Sequence, residues 1–276
     1  MPKSFISQLP DVHAVMQGTD IPNQQVYQGR VQVGVDLGTA FFVLLVLDEN
    51  QKPLAGAYQF AQVVRDGLVV DYIGAIDLLT KLKAQVEAKL GLSLTEAATA
   101  YPPGVQRAEV RATENVLYSA GLACRAVIDE PSAANKVLAL ENGAVVDVGG
   151  GTTGIAIIEN GQVVYTADEP TGGTHFSLVI AGAKGLNFEE AERFKRDPAN
   201  HSELLPLVRP VMEKVAAIID RHIAPYHIER IFLVGGTSAF TGIEAVAEEW
   251  TGIPTTVPPH PMFVTPFGIA LSHEPT

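Results

Sequence analysis

The feature that most constrains the fold is a glycine-rich turn between two apolar runs, which occurs twice in the chain. Residues 143–158 read GAVVDVGGGTTGIAII, so an acid stands near the end of the first run and glycines and threonines lead into the second. Residues 31–47 read VQVGVDLGTAFFVLLVL and repeat that order. Two strand–turn–strand hairpins, a little over a hundred residues apart, predict a duplicated fold.

The residue types in both turns suit a phosphate group bound together with a metal ion. Glycine tolerates positive φ and lets backbone N–H groups approach an anion closely. Threonine hydroxyls add further donors, and an acid just before the glycines suits a cation, directly or through its waters. A Gly-rich turn that binds nothing is the alternative for one hairpin alone, and the repeat makes that alternative weaker.

Composition excludes several other classes of protein. Hydrophobic residues make up 47% of the 276 residues, which excludes a disordered chain. The net charge of -12 disfavours nucleic acid and anionic membranes as partners, but not a nucleotide bound with its metal. A single cysteine, Cys124, excludes an internal disulfide and a cysteine-rich zinc site. The polar start MPKSFISQL and the absence of an apolar run of roughly 18 residues predict a cytoplasmic protein without a transmembrane segment.

The patterning after each hairpin predicts the same succession of elements in both halves. Each half begins with three strands, the first set ending at Asp66-Gly67, and continues with alternating helices and strands. The helices predicted in the second half include 207–224 and 238–250. This order predicts an α/β fold with mixed sheets and right-handed crossovers. Residues 1–30 stand apart and carry only a weak helical stripe. They are interpreted as an arm packed on the body, with a tail that docks to a partner as the alternative.

The order of motifs resembles the superfamily of actins, sugar kinases and DnaK-type chaperones. D-x-G-T at residues 36–39 is followed by D-x-G-G-G-T at 147–152 and by V-G-G at 234–236. Residues 65–72 (RDGLVVDY) and 128–134 (IDEPSAA) are similar to segments of bacterial actins, and the second also to the chaperones. The resemblance implies two duplicated actin-like (ribonuclease H-like) domains with mixed five-stranded sheets and an interdomain nucleotide cleft. The expected divisions are an arm (1–30), domain I (31–142, with 264–276 crossing back) and domain II (143–263).

The resemblance also implies the roles of individual residues around ATP or ADP and Mg²⁺. Glu130 would act on the attacking water as a general base, with a first-turn helix acid as the alternative. Asp36 and Asp147 would hold hydrated Mg²⁺, and Asp147 would also take part in catalysis. Glu192 and Lys195 would face the nucleoside from one helix face, with an ordinary solvated helix face as the alternative. The implied nucleotide ligands are Asp36, Gly38, Thr39, Gly149, Gly150, Gly151, Thr152, Thr153, Gly172, Gly173, Thr174, Glu192, Lys195, Gly235 and Gly236.

Two departures from the family pattern bear on activity. Ala40 stands where the chaperones have a second threonine, and the lysine with which they reach the γ-phosphate has no clear counterpart. We therefore expect nucleotide binding with at most slow ATP hydrolysis.

Short length and overall likeness make the chain most similar to a small actin/DnaK-like family of ethanolamine-utilisation clusters. That similarity implies a chaperone or reactivating factor associated with a bacterial microcompartment, with ethanolamine ammonia-lyase or shell proteins as partners. A polymerising, self-associating actin-like scaffold is the alternative function, and a small-molecule kinase is a third.

Overall fold

The structure, a computed structural model, describes residues 3–18, 26–61, 63–65 and 68–274. The chain divides into two compact units, Met1–Ala139 together with Phe263–Thr276, and Leu140–Met262. The Asp66-Gly67 turn, which was expected to close the third strand, lies outside the described residues.

The first unit is built on a five-stranded mixed sheet with the strand order β3-β2-β1-β6-β7. The first three strands form an antiparallel meander, and β6 and β7 continue the sheet in parallel with β1. A two-stranded hairpin, β4 with β5, lies apart from this sheet. The strands are β1 (Val31–Leu37), β2 (Phe41–Asp48), β3 (Pro53–Phe60), β4 (Val64–Arg65), β5 (Leu68–Val69), β6 (Glu96–Tyr101) and β7 (Ala123–Asp129).

The second unit repeats this architecture with the strand order β10-β9-β8-β11-β12. Its meander is again antiparallel, and β11 lies parallel to β8 and to β12. The central strands β8 and β9 are buried along nearly their whole length, as the apolar runs of the sequence require. The strands are β8 (Gly143–Val148), β9 (Thr153–Glu159), β10 (Gln162–Glu169), β11 (Ile231–Val234) and β12 (Thr255–Thr256).

The helices of the first unit begin and end at recognisable capping residues. The Asp71 side chain accepts a hydrogen bond from the backbone N–H of Gly74 at 2.9 Å and caps α2, which ends at Gly91 in the left-handed conformation. Gly268 in α9 packs so closely on α4 that a Cβ atom would overlap the Ala133 carbonyl oxygen. The helices are α1 (Leu9–Gln17), α2 (Tyr72–Leu90), α3 (Arg107–Ser119), α4 (Glu130–Leu138) and α9 (Val264–Ala270).

The helices of the second unit follow the predicted order, but two of them start at other residues than expected. Ser238 was expected to begin a helix, but a short 3-10 turn comes first and the helix starts after Gly242, which is left-handed at φ 96°. The helices are α5 (Gly173–Lys184), α6 (Phe188–Arg196), α7 (His201–Ile223) and α8 (Ile243–Thr251).

The sequence pattern predicts that the long helix α7 starts at Leu207. The structure instead carries the helix back to His201, through Pro206 and Pro210. The His201 ring stacks on Phe240 with a centroid separation of 4.0 Å. Its Nδ1 atom accepts a hydrogen bond from the Thr241 N–H at 3.1 Å. These tertiary contacts hold the first turn in place.

The described part of the N-terminal arm packs on the first unit. Helix α1 buries Leu9, Val12 and Met16, and the Phe5 ring meets Phe267 edge-on at 5.7 Å. Phe5 also donates its N–H to the Val137 carbonyl at 2.8 Å. Residues 3–18 therefore match the interpretation as a packed arm.

The prediction of an α/β fold with two mixed five-stranded sheets is confirmed. Cys124 on β7 is half-buried, and burial raises the pKa of its thiol to about 11, so it is a poor nucleophile at neutral pH. Among the described residues, none of the helices has both the length and the apolar character that a bilayer span needs.

Candidate functional site

In the second unit, three glycine turns come together. Strand β8 leads into the first turn, Gly149–Thr152, and β11 leads into the third, at Gly235-Gly236. Because β8 and β11 are parallel neighbours with Val234 opposite Asp147, these two turns leave the same edge of the sheet. The second turn, Gly172–Thr174, opens helix α5.

Hydrogen bonds join the second turn directly to the first. Gly173 donates its N–H to the Gly149 carbonyl at 2.9 Å, and Thr174 donates to the Gly150 carbonyl at 2.8 Å. The Gly172 N–H faces the Nδ1 atom of His175 at 3.4 Å. The N–H groups at the start of α5 are therefore used within the unit, which differs from the expectation that they contact phosphate.

The backbone N–H groups of Gly150 and Gly151, unlike those at the start of α5, are not used in hydrogen bonds within the described residues of the unit. Within the described parts of the chain, neither donates to a protein acceptor. Gly150 and Thr152 are half-buried, whereas Gly151 is buried. The Thr152 hydroxyl also lacks a partner among the described residues. This stretch therefore offers two backbone donors and one hydroxyl to an anion.

Thr153, the next residue, has another role. Its side chain is fully buried, and its hydroxyl donates to the Thr171 carbonyl at 2.6 Å. The phosphate contact expected of this hydroxyl is therefore not supported. Thr153 instead ties the start of β9 to the segment before the second turn.

Two of the glycines are required by close packing. A Cβ atom on Gly172 would lie 2.7 Å from the Gly149 carbonyl oxygen and 2.9 Å from that of Gly150. Gly235 has φ 87°, and a Cβ atom there would overlap the Asp147 carboxylate. A larger residue at either position would force the turns apart.

Thr237 was missed by the sequence reasoning. It is 6% exposed, and its hydroxyl donates to the Gly149 carbonyl at 2.8 Å. The signal was available, because Thr237 comes directly after glycine, as Thr39 and Thr152 do. The hydroxyl joins the third turn to the first.

Asp147 lies at the head of the first turn and is 9% exposed. Within the described residues, no group of three or more His, Cys, Asp or Glu side chains could hold a metal ion alone. Mg²⁺ usually keeps several waters and binds one or two carboxylates together with substrate phosphates. A single buried carboxylate beside a donor-rich turn fits that mode of binding.

The first unit carries the related turn, with Asp36 near the end of β1 and Gly38 and Thr39 leading to β2. All three residues are half-buried. A Cβ atom on Gly38 would lie 2.8 Å from the Phe41 carbonyl oxygen, so the tight turn requires glycine.

Glu130 is the first residue of α4 and is half-buried. The capping role at this helix belongs to Asp129, whose carboxylate accepts the Ser132 N–H at 2.9 Å. The position of Glu130 in the first turn fits its alternative interpretation as an acid that favours the helix dipole. Its role towards water stays a prediction.

Glu192 and Lys195 do not lie on a solvated face. Each is 8% exposed, and Lys195 Nζ lies 2.6 Å from Glu192 Oε2. Burial lowers the pKa of the Lys195 ammonium, while the nearby Glu192 carboxylate opposes that change. The alternative of an ordinary solvated face is therefore wrong, and the predicted nucleoside contact stays a prediction.

The duplicated sheets and their paired Asp–Gly–Thr turns define the class of the protein as an actin-like ATPase fold. The structure matches the fold of MreB5 of Spiroplasma citri bound to AMPPNP with a TM-score of 0.71 and 17% identity, covering 89% of this chain and 96% of that one. The family described as type IV pilus assembly protein PilM matches residues 116–265.

Closer relatives narrow the class to one family. The chain is 46% identical over 241 residues to the ethanolamine utilization protein EutJ of Salmonella typhimurium, covering 87% of this chain and 85% of that protein. The crystal structure of EutJ from Carboxydothermus hydrogenoformans matches with a TM-score of 0.90 and 46% identity, covering 97% of both chains. The chain belongs to the EutJ family, within the PilM-like actin-fold ATPases.

Proposed function

We propose that this protein is an ATPase-fold factor of ethanolamine utilisation that binds ATP or ADP with Mg²⁺. One observation carries the proposal. The turn after β8 offers the N–H groups of Gly150 and Gly151 and the Thr152 hydroxyl beside the buried Asp147 carboxylate. Backbone donors suit phosphate oxygens, and the carboxylate suits a cation bound to those phosphates.

The other residues implied by the family resemblance take supporting roles in the proposal. Asp36 would order waters of the Mg²⁺ ion, and Gly38 and Thr39 would contact phosphate. Glu130 would orient the attacking water. Gly235 and Gly236 would let the nucleoside approach closely. Mg²⁺ itself would neutralise phosphate charge during phosphoryl transfer.

In the cell we propose that nucleotide binding drives a chaperone or reactivating role. The relatives are named for ethanolamine utilization, and MreB5, which shares the fold, has been crystallised with AMPPNP. The partners would be ethanolamine ammonia-lyase or microcompartment shell proteins, and the site of action would be the cytoplasm at a microcompartment. The polymerising scaffold is the less favoured alternative, since the resemblance to MreB5 extends to the fold alone.

A thermal-shift experiment tests the binding proposal. A ligand that binds only the folded state stabilises it by mass action, so ADP and AMPPNP at a hundredfold excess over Kd should add about 2.7 kcal/mol to the free energy of unfolding. Gly172→Ala should reduce this shift by displacing the first turn, whereas Gly182→Ala should preserve it because no heavy atom lies within 4 Å of a Cβ there. An unchanged melting temperature of the wild-type protein at millimolar nucleotide would contradict the proposal.

A further inference from the structure

We propose that the Lys195 ammonium is a tethered cation that positions the second glycine turn, rather than a ligand of the nucleoside. The group touches the turn only through the Gly173 carbonyl, which makes Lys195 a positioning residue.

The surroundings of Lys195 Nζ use the whole hydrogen-bonding capacity of an ammonium group. Its acceptors are the Gly173 carbonyl at 3.0 Å, the Ser177 hydroxyl at 3.0 Å and Glu192 Oε2 at 2.6 Å. An ammonium carries three donors, so each is matched by one oxygen. The Ser177 hydroxyl in turn donates to Glu192 Oε2 at 2.6 Å, which closes the network.

This network lies one peptide away from the proposed phosphate turn. Lys195 binds the carbonyl of Gly173, and the N–H of Gly173 binds the carbonyl of Gly149. A Cβ atom on Gly173 would overlap the Thr237 hydroxyl and lie 3.0 Å from Lys195 Nζ. The ammonium therefore holds α6 against the start of α5 and, through Gly173, against the first turn.

Burial favours this positioning role over a swing towards a ligand. Lys195 and Glu192 are each 8% exposed, and Ser177 is fully buried. If the ammonium moved to a ligand, it would give up three hydrogen bonds and leave the Glu192 carboxylate buried without its counterion, which is strongly unfavourable. Burial lowers the pKa of the ammonium, and the same carboxylate opposes that change.

The inference deepens the proposed nucleotide function and rests on it only for the affinity measurement. Its central claim concerns the turn itself, and it is measured on the protein without nucleotide. A failure of nucleotide binding would therefore leave the positioning claim testable.

The test is chemical rescue of Lys195→Ala. This variant removes the ammonium but keeps its three oxygen acceptors, so we expect the melting temperature to fall by roughly 6–20 °C. We also expect the Gly173 and Thr174 amides to exchange with solvent about tenfold faster. Ammonium or methylammonium chloride should restore both properties in part, because these cations fit the vacated oxygen cage. Tetramethylammonium chloride at equal ionic strength should not, because it has no N–H donor.

Lys184→Ala is the matched control, since Lys184 is a partly exposed ammonium on the same unit that pairs with Glu203. It should show no rescue by any of the salts. If Lys195→Ala weakens ADP binding but leaves melting and amide exchange unchanged, Lys195 contacts the nucleoside directly and the inference is wrong. Should Lys195→Ala fail to fold, Ser177→Ala replaces it, and unchanged exchange at Gly173 in that variant would equally overturn the inference.

Discussion

At the scale of single residues, two adjacent threonines in the same turn have different surroundings. The Thr152 hydroxyl is half-buried with no partner among the described residues, whereas the Thr153 hydroxyl is buried and donates to the Thr171 carbonyl. One of them can serve a ligand, and the other stabilises the fold. Sequence alone gives both the same residue type, so only the packing of β9 separates their roles.

This pair predicts opposite effects for the same substitution. Thr152→Val should weaken nucleotide binding by about 0.5–1.5 kcal/mol, the value of one hydrogen bond, and leave stability nearly unchanged. Thr153→Val should lower the free energy of unfolding by about 1–3 kcal/mol, because the buried Thr171 carbonyl loses its donor. Calorimetric titration with ADP and urea unfolding measure the two quantities. Loss of affinity in Thr153→Val alone would reverse the assignment.

Asp147 provides a residue-scale test of the metal. If its carboxylate faces Mg²⁺ bound to the phosphates, Asp147→Asn should weaken binding of Mg²⁺-ADP far more than binding of ADP in EDTA. The substitution keeps the size of the side chain and removes its charge. Titrations in the two buffers give the comparison, and equal fractional losses would show that Asp147 supports the turn without contacting the cation.

Glu130 and Asp129 are adjacent acids with separable roles. Glu130→Gln should slow ATP hydrolysis and preserve nucleotide affinity, because a general base acts on water. Asp129→Ala should instead cost about 0.5–2 kcal/mol of stability, since α4 loses its N-cap. Phosphate release and thermal melting measure these effects. Equal hydrolysis rates in Glu130→Gln and the wild type would show that Glu130 acts only as a first-turn acid of α4.

At the scale of elements, the strands and the fold class could be predicted from sequence because apolar runs and glycine turns set them locally. The residues at which helices start were harder to predict from the sequence. His201 begins α7 because its ring stacks on Phe240, and this partner is 39 residues away in sequence. Ser177 joined the site through a contact with Lys195 that no spacing rule reveals. The burial of Glu192 could not be predicted from the sequence either, because α6 consists mostly of charged residues and looks like a solvated helix.

The anchoring of the segment after α9 predicts a dependence of stability on pH. His273 is fully buried, and its Nδ1 accepts the Val33 N–H at 2.8 Å, which ties it to β1. Burial lowers the pKa of His273 below 6.5, although Glu96, 3.4 Å away, opposes this and Arg125 adds to it. The unfolded chain therefore binds the proton first, and stability falls as pH decreases from about 6.5 through the folded pKa.

Comparison with His273→Asn isolates this contribution. Asparagine offers an acceptor oxygen near the position of Nδ1 but does not titrate. The free energy of unfolding of the variant should therefore change less than that of the wild type between pH 7 and pH 5. Parallel pH profiles for the two proteins would show that His273 does not cause the dependence.

At the scale of the whole molecule, the chain is a duplicated unit, and each copy carries an acid–glycine–threonine turn after its first strand. The two units differ in how many glycine turns the structure shows at the candidate site. The second unit shows three turns joined through Gly149 and Gly173 with donors remaining at Gly150 and Gly151. The first unit shows the Asp36–Thr39 turn at the corresponding place. The proposed function therefore depends on nucleotide binding by the glycine turns of the second unit.

The most direct measurement of that claim is the response of individual amides to Mg²⁺-ADP, followed by ¹H–¹⁵N NMR of the intact chain. We expect the Gly150 and Gly151 resonances to shift and to saturate with the dissociation constant found by calorimetry, while the Gly161 and Gly182 resonances stay unchanged. Adenosine without phosphates should not reproduce the shift. Unchanged Gly150 and Gly151 resonances at saturating Mg²⁺-ADP would contradict phosphate binding by this turn.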